Sequence, residues 1–487
     1  MELDIECRGI IDNSEFFYDL LPSLVEHLIN KGIDENDLWD LYVNNSDVLF
    51  KFESRISSQI KNYDLCINDF DELKRRVLGI IGKTDLTVNY DKVENVSCLL
   101  VLYCILRAAD TAIGDWDINL LKKCGPLDKK TNNKYRLYIL PRETLNKQYR
   151  DHINRTRAGR YSLFQDFENM CFFESEDWVK KNSIPNGIIV STNLFKNRTS
   201  IIIGVSHFIN NDSNVVIKSR KESNNKKYIL YKEEQNRFAS YVERTIKKAI
   251  DNSCDILIFP EYSCSEKIRE KISDYLSVCK RKNKKTPIIT IAGSTWTNDN
   301  SNVSYAYNNR GKEIGRYYKK FRYRDKNRKD MEDLDVNNLG KECPFYFING
   351  LGMILPAICR DAVEKGYTDC LTSLFFPEFL LVPAFSKSIN DFKRHLTPFA
   401  ELQYTSSVVV GYCDIIKKDK VGMCFMPCKD DTMASHKEGS LYRKTCSSPD
   451  DCKNGCLQVI EMDFTFKVDD NEEVVTNTSL RINGEEI

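Results

Sequence analysis

The stretch GMILPAICRDAVEKG, residues 352–366, joins an apolar run to a cysteine, a charged pair and a closing glycine. The apolar run predicts a buried strand, and the residues after Cys359 predict the start of a helix. In layered α/β folds, ligands bind where such strands end. Cys359 is therefore a candidate nucleophile, although a lone cysteine in an apolar run is more often an ordinary core residue.

Two other stretches also place a reactive side chain just after an apolar strand. DILIFPEY (255–262) delivers Glu261, and EIGRYYKK (313–320) delivers Lys319 or Lys320, a register that the sequence leaves open. A carboxylate can accept the proton of a thiol, and an ammonium group can stabilise the oxyanion that forms when a thiolate attacks a carbonyl carbon. Glutamate, lysine and cysteine thus form a coherent catalytic set in that order.

The chain has 487 residues, a length that predicts two domains. Up to about residue 180 the apolar positions recur at steps of three and four, which is typical of amphipathic helices. Beyond about residue 195, short β-rich runs alternate with such helices, which predicts a layered α/β domain. We therefore divide the chain into a mostly α-helical N-terminal domain of unknown role (1–190), an α/β domain (195–466) and an acidic tail (467–487).

The α/β part resembles the nitrilase, or carbon–nitrogen hydrolase, superfamily. The segments that carry the resemblance follow one another in the family's order: ILIFPEY, NNRGKEIGRYYKKF, AICRDAVEKG, EFLLVPAFSKS and CLQVIEMDF. The resemblance implies a four-layer α-β-β-α sandwich and a triad of Glu261, Lys319 and Cys359. Many members carry a second active-site glutamate between the lysine and the cysteine. Glu332 is the first candidate for it, and Glu342 is the second.

The resemblance implies an amidase-type hydrolase that cleaves a non-peptide C–N bond through a thioester. It implies a small amide-like substrate whose identity stays open, no cofactor or metal, and a homo-oligomer. The backbone N–H of Arg360 is a natural second donor to the oxyanion at a strand-to-helix turn. The family usually has Tyr or Trp at the position of Arg360, and often His at that of Phe321. The Arg360 side chain could act on the thiol, select an acidic substrate or point into solvent.

Two alternatives compete with an enzyme. The nitrilase-like part could be a non-catalytic or regulated sensor, or an assembly platform for the helical region, and similar domains are fused to other modules in bacterial antiphage defence. The second alternative is a nucleic-acid-associated protein, because GRYYKKFRYRDKNRK (315–329) packs eight Lys or Arg and four aromatic residues into fifteen positions. Against it, 71 Lys plus Arg balance 71 Asp plus Glu, so no global charge favours nucleic acid.

The remaining composition predicts a cytoplasmic protein that does not contact a membrane. No apolar run approaches the roughly 20 residues of a membrane span, and the first residues lack the order of a signal peptide. The 18 cysteines are therefore expected as reduced thiols, metal ligands or a nucleophile, and not as disulfides. Near the end, a group of cysteines with one histidine suggests zinc, but its spacing fits the common two-residue knuckle poorly, so we predict no metal and leave zinc open. This group is Cys424, Cys428, His436, Cys446, Cys452 and Cys456.

Overall fold

A computed structural model describes part of the chain. The described residues are 5–14, 17–31, 35–61, 70–82, 96–114, 135–139, 170–174, 185–190, 198–207, 216–222, 225–231, 235–297, 299, 301–323, 331–332, 334, 341, 343–364, 366–386, 389–411, 420–430, 433–442, 456–468 and 474–487. The chain divides into two compact units. The first contains Met1–Arg142 and Gly159–Lys181, and the second contains Glu143–Ala158 and Asn182–Ile487.

The first unit is mainly helical, as predicted. Its described helices are α1 (Ile5–Asn13), α2 (Phe17–Asn30), α3 (Glu35–Asn44), α4 (Ser46–Lys61), α5 (Phe70–Ile81) and α6 (Val96–Gly114). Cys98 and Cys104 are buried in α6, as expected for cysteines in an apolar run. The unit also contains an antiparallel pair, β1 (Tyr135–Ile139) and β2 (Met170–Glu174), which was not predicted from the sequence.

Two large sheets form the second unit. The eight-stranded sheet has, in spatial order, β10 (Glu313–Tyr318), β9 (Asn302–Asn308), β8 (Ile289–Trp296), β7 (Ile256–Ile258), β4 (Ser200–Val205), β18 (Gln458–Val468), β19 (Val474–Ile482) and β20 (Glu485–Glu486). The seven-stranded sheet has β17 (Met433–Tyr442), β16 (Lys420–Asp430), β15 (Ser406–Val410), β14 (Phe379–Pro383), β13 (Gly352–Pro356), β12 (Cys343–Ile348) and β3 (Pro185–Val190). A small third sheet contains β11 (Met331–Glu332), β6 (Asn225–Tyr231) and β5 (Val216–Glu222).

Helices cover the two large sheets. They are α7 (Gln235–Asp251), α8 (Glu266–Arg281), α9 (Thr368–Phe375) and α10 (Asn390–Gln403). The apolar stripes of α7 and α8 share one core with residues such as Leu257 of the eight-stranded sheet, while α10 lies against β15, β16 and β17. Between the sheets, Ile203 and Ile258 share another core with Ile354 and Leu381. The predicted four-layer α-β-β-α sandwich is confirmed.

The structure differs from the predicted domain boundaries at both ends of the α/β region. Residues 185–190, which we assigned to the helical domain, pair in parallel with β12 and belong to the seven-stranded sheet. The predicted tail contains strand β19, which pairs antiparallel with β18. The partner of β3 is distant in sequence, so local periodicity could not reveal the pairing. The acidic residues that flank β19 led to the prediction of a tail instead of a strand. Among the apolar residues of β19, Leu480 and Ile482 are buried.

His207 follows β4 and joins the two large sheets. Its side chain is buried, and its Nδ1 lies 3.2 Å from the carbonyl oxygen of Gly411, which follows β15. Within the described residues Nε2 has no hydrogen-bond partner, so a proton there would place an unpaired charge in the interior. Burial lowers the pKa of His207 to about 4, although the hydrogen bond to Gly411 acts in the opposite direction.

His207 should therefore make the chain less stable as the pH falls from 6.5 to 4, the window between its ordinary and its folded pKa. In this window the unfolded chain binds a proton at His207 that the folded chain does not, so acid favours unfolding. Over this pH window the free energy of unfolding should fall by about 3 kcal/mol because of His207. Urea titrations at pH 7 and pH 4.5 should show a loss that His207→Gln lacks.

His436→Gln is the matched control for this measurement. His436 is half-buried and its Nδ1 lies 2.9 Å from Oε1 of Glu401, so this imidazole, unlike that of His207, has a side-chain hydrogen-bond partner close to solvent. Its substitution should leave the acid loss in place. Equal pH dependence in the native chain and in His207→Gln would show that His207 does not carry the effect.

Candidate active site

The candidate site lies where parallel strands of the two large sheets end. β7 runs parallel to β4, and β13, β14 and β15 run parallel to one another. Glu261 follows β7, Cys359 follows β13, and Phe385 follows β14. A hydrogen bond crosses between the sheets here, because the backbone N–H of Phe385 donates to Oε2 of Glu261 over 2.8 Å. The carboxyl end of β14 therefore meets the carboxylate that follows β7.

The Glu261 carboxylate is buried and receives donors on both oxygens. Nζ of Lys319 and Nδ2 of Asn302 each lie 2.8 Å from Oε1, and the N–H of Phe385 reaches Oε2. The Glu261 and Lys319 side chains are each only 1% exposed, so the ion pair is shielded from water. These donors stabilise the ionised carboxylate and fix its orientation.

The structure decides which lysine accompanies Glu261. Lys319 points to the carboxylate, whereas Nζ of Lys320 donates to the backbone carbonyl of Lys341 over 2.8 Å. The β10 strand ends at Tyr318, and alternation along an extended chain sends adjacent side chains to opposite sides. Lys319 and Glu261 are therefore brought together as the sequence predicted, and Lys320 is directed elsewhere.

Cys359 begins a tight turn directly after β13. The turn is a 3-10 segment, Cys359–Val363, closed by a hydrogen bond from the N–H of Asp361 to the carbonyl of Ile358. Cys359 has a φ of 45°, which is the left-handed region that residues other than glycine rarely adopt. Such strain persists only where surrounding contacts hold it, and it is typical of functional turns. Cys359 as a whole is 5% exposed.

Asp361 connects this cysteine turn to the segment that contains Lys319. Its carboxylate accepts hydrogen bonds from the hydroxyl of Tyr317 (2.7 Å) and from the N–H groups of Lys320 and Phe321 (2.9 Å each). Burial raises the pKa of Asp361 to about 7, although the Lys319 ammonium and these donors act in the opposite direction. The cysteine turn and the lysine segment are thus joined through one buried side chain.

Two departures from the family pattern now have a physical description. The Arg360 side chain is 45% exposed and its Nη2 lies 2.7 Å from Oε2 of Glu364, so the guanidinium is held at the surface. Phe321 packs its ring edge-on against Tyr367, with ring centroids 5.2 Å apart. Of the readings that the sequence left open for Arg360, the structure supports the solvent-facing one. The role of its backbone N–H in an oxyanion hole stays a prediction.

Glu332 lies in β11, which pairs in parallel with β6 at Tyr228. The placement of its side chain and the whole of residue 342 lie outside the described part, so the second active-site glutamate stays a prediction. The backbone nearby is tied to the lysine segment. Arg322 donates from Nε (3.1 Å) and Nη2 (2.5 Å) to the carbonyl of Leu334.

Asn302 and the N–H of Phe385 are members of the site that sequence reasoning missed. Asn302 is fully buried at the start of β9, and its carbonyl also accepts the N–H of Lys319 over 2.8 Å. The only signal in the sequence is a polar residue at the start of β9. The structure buries most of the other positions of this strand. A backbone N–H leaves no signal in the sequence at all.

The cysteines near the end are spread through the described structure. Cys424 is buried in the core between the sheets, Cys428 lies 3.3 Å from the hydroxyl of Ser435, and Cys456 packs against the other core. No group of three or more metal-ligating side chains occurs among the described residues. Cys446 and Cys452 lie outside them. The same described part contains no helix long and apolar enough to cross a membrane.

No family model matches the chain, and no curated protein matches it. Several solved structures resemble it. An amidase from Nesterenkonia sp. is 12% identical over 44% of this chain and 78% of that one, with a TM-score of 0.31. Nit3 of Saccharomyces cerevisiae, a member of branch 10 of the nitrilase superfamily, is 13% identical over 49% and 90%, with a TM-score of 0.32. A carbon–nitrogen hydrolase from Helicobacter pylori G27 is 10% identical over 58% and 89%, with a TM-score of 0.30. Similarity at this level fixes neither an activity nor a substrate.

Proposed function

We propose that the chain is a cysteine-dependent hydrolase of the nitrilase type, which cleaves a non-peptide C–N bond of a small amide through a thioester on Cys359. The observation that carries the proposal is the buried ion pair of Glu261 and Lys319, tied through Asp361 to the turn that bears Cys359. A shielded carboxylate and ammonium, and a cysteine on a strained turn that Asp361 joins to the lysine segment, are the groups that thiol acyl transfer requires.

The proposed reaction begins when Glu261 takes the thiol proton of Cys359. The thiolate attacks the amide carbonyl carbon, and the Lys319 ammonium together with the N–H of Arg360 stabilises the oxyanion. Protonated Glu261 then gives its proton to the departing amine as the C–N bond breaks. Glu261, again a carboxylate, deprotonates a water molecule that attacks the thioester, and the carboxylic acid leaves as the Cys359 thiol is restored. These steps use side chains and water alone.

Asn302 and Phe385 support this cycle by orientation. Asn302 donates to Oε1 together with Lys319, and the N–H of Phe385 donates to Oε2, so the carboxylate keeps one position while its protonation changes. Glu332 is proposed as a further carboxylate of the site.

The competing functions stay alternatives. A non-catalytic or regulated role of the nitrilase-like part as a sensor or assembly platform, a part in antiphage defence, the cytoplasmic location and the homo-oligomer are all still predictions. The basic stretch 315–329 supports nucleic-acid binding less than its composition suggests. The side chains of Lys319, Lys320 and Arg322 donate hydrogen bonds within the protein.

The proposed nucleophile is tested with iodoacetamide, which pairs a primary amide with an alkylating carbon. The sulfur of Cys359 should displace iodide and become alkylated before Cys456, although Cys456 is the more exposed thiol. Peptide mapping over a time course gives both rates. Alkylation of Cys456 with Cys359 left intact would contradict the proposal.

A further inference from the structure

The Asp361 carboxylate accepts hydrogen bonds from residues on both sides of Lys319 in the chain. Its three donors are the hydroxyl of Tyr317, two residues before Lys319, and the N–H groups of Lys320 and Phe321, directly after it. Asp361 itself is fully buried and stands two residues after Cys359. One side chain therefore fixes the distance between the turn of the thiol and the segment of the ammonium.

We propose that Asp361 is a positioning residue for the reaction at Cys359, which holds the strained cysteine turn against the Lys319 segment. This role rests on the proposed hydrolase function and assigns Asp361 no contact with substrate.

The backbone of Asp361 is held as firmly as its side chain. Its N–H closes the turn on Ile358 over 3.0 Å, and its carbonyl accepts the hydroxyl of Thr368, at the start of α9, over 2.5 Å. The left-handed φ of Cys359 needs such support, because an unsupported turn would relax to a common conformation. Asp361 is thus the point at which β10, the cysteine turn and α9 are tied together.

The carboxylate also contributes charge. The titratable groups that face it are Tyr317 and Lys319 from the β10 side, Tyr367 before α9, and Cys343 on β12. Only Lys319 among these carries a positive charge at neutral pH, and its ammonium also pairs with Glu261. An ionised Asp361 therefore offsets part of the positive field that Lys319 exerts on the cysteine turn.

The test is Asp361→Asn, which keeps the shape but replaces one acceptor oxygen with an NH₂ group that faces donors. The alkylation rate of Cys359 by iodoacetamide at its high-pH plateau should fall at least tenfold. Hydrogen exchange at the amides of Lys320 and Phe321 should accelerate. The pH of half-maximal alkylation should move down, because removing a negative charge leaves more of the Lys319 field to favour the thiolate. A role in stability alone would leave the plateau rate of the folded variant unchanged.

Two tyrosine variants are the matched pair for this test. Tyr317→Phe removes one donor to Asp361 and keeps its charge, so alkylation should slow severalfold with no shift of the pH midpoint. Tyr346→Phe removes a hydroxyl that is buried to the same degree, 1% exposed, and should react at the native rate.

A folded Asp361→Asn chain that is alkylated at the native plateau rate would overturn the positioning role, whether or not its pH midpoint moves. A native chain whose Cys359 does not react would overturn the proposed function, and the positioning role with it. The two failures are distinguishable, because the first leaves the native thiol reactive and the second does not.

Discussion

Replacing Glu261 with glutamine should slow the alkylation of Cys359 by iodoacetamide about a hundredfold or more, the usual range for loss of a general base. Glutamine cannot take a proton from the thiol. Its NH₂ group would also face the Lys319 ammonium or the N–H of Phe385, which both need an acceptor. The rate is measured by peptide mapping, with the fold checked by thermal unfolding.

Glu364→Gln is the control for this prediction. Glu364 is a carboxylate close to Cys359 in the chain, but it is partly exposed and pairs with Arg360 at the surface. The Glu364→Gln substitution removes the same charge and leaves the proposed base in place, so the alkylation rate should stay near that of the native chain. If Glu261→Gln and Glu364→Gln behaved alike, Glu261 would not be the base.

Replacing Lys319 with methionine should lower the free energy of unfolding by about 3 to 5 kcal/mol, because it leaves a carboxylate buried without its partner charge. The Glu261 side chain is only 1% exposed, so water cannot take the place of the ammonium. Urea titration at pH 7 measures the loss. Cys359 should also lose its reactivity in this variant, since the site loses both its cation and its ordered carboxylate.

The double variant Lys319→Met, Glu261→Gln distinguishes two causes of the lost stability, the unpaired charge of Glu261 and the lost packing of Lys319. With no buried carboxylate left, it should recover part of the stability that Lys319→Met loses. A double variant that is less stable than Lys319→Met would mean that the cost comes from the lost side-chain volume and not from the unpaired charge.

The sequence predicted the parts of the site that depend on local pattern. Glu261, Lys319 and Cys359 each follow an apolar run, and parallel strands bring the ends of such runs to one edge. Asn302 and the N–H of Phe385 were missed because their role depends on contacts distant in sequence, over 41 residues within one sheet and over 124 residues between the two sheets. Neither separation leaves a local periodicity that could be read.

Charged residues were harder to place than apolar ones. Lys320 and Arg322 read as parts of a basic patch, yet both donate to backbone carbonyls of the segment before β12. Arg360 follows the proposed nucleophile in sequence, yet its guanidinium lies with Glu364 at the surface. A long cationic side chain can reach several partners from one backbone position, so its direction is settled only by the fold.

The thioester itself is the most direct test of the proposed chemistry. The chain is mixed with p-nitrophenyl acetate, the release of p-nitrophenolate is followed by absorbance, and the quenched protein is mapped by mass spectrometry. The proposed mechanism predicts a burst of about one equivalent per chain, an acetyl group on Cys359, and loss of that group as turnover continues. Acetylation confined to other thiols, with Cys359 unmodified throughout, would contradict it.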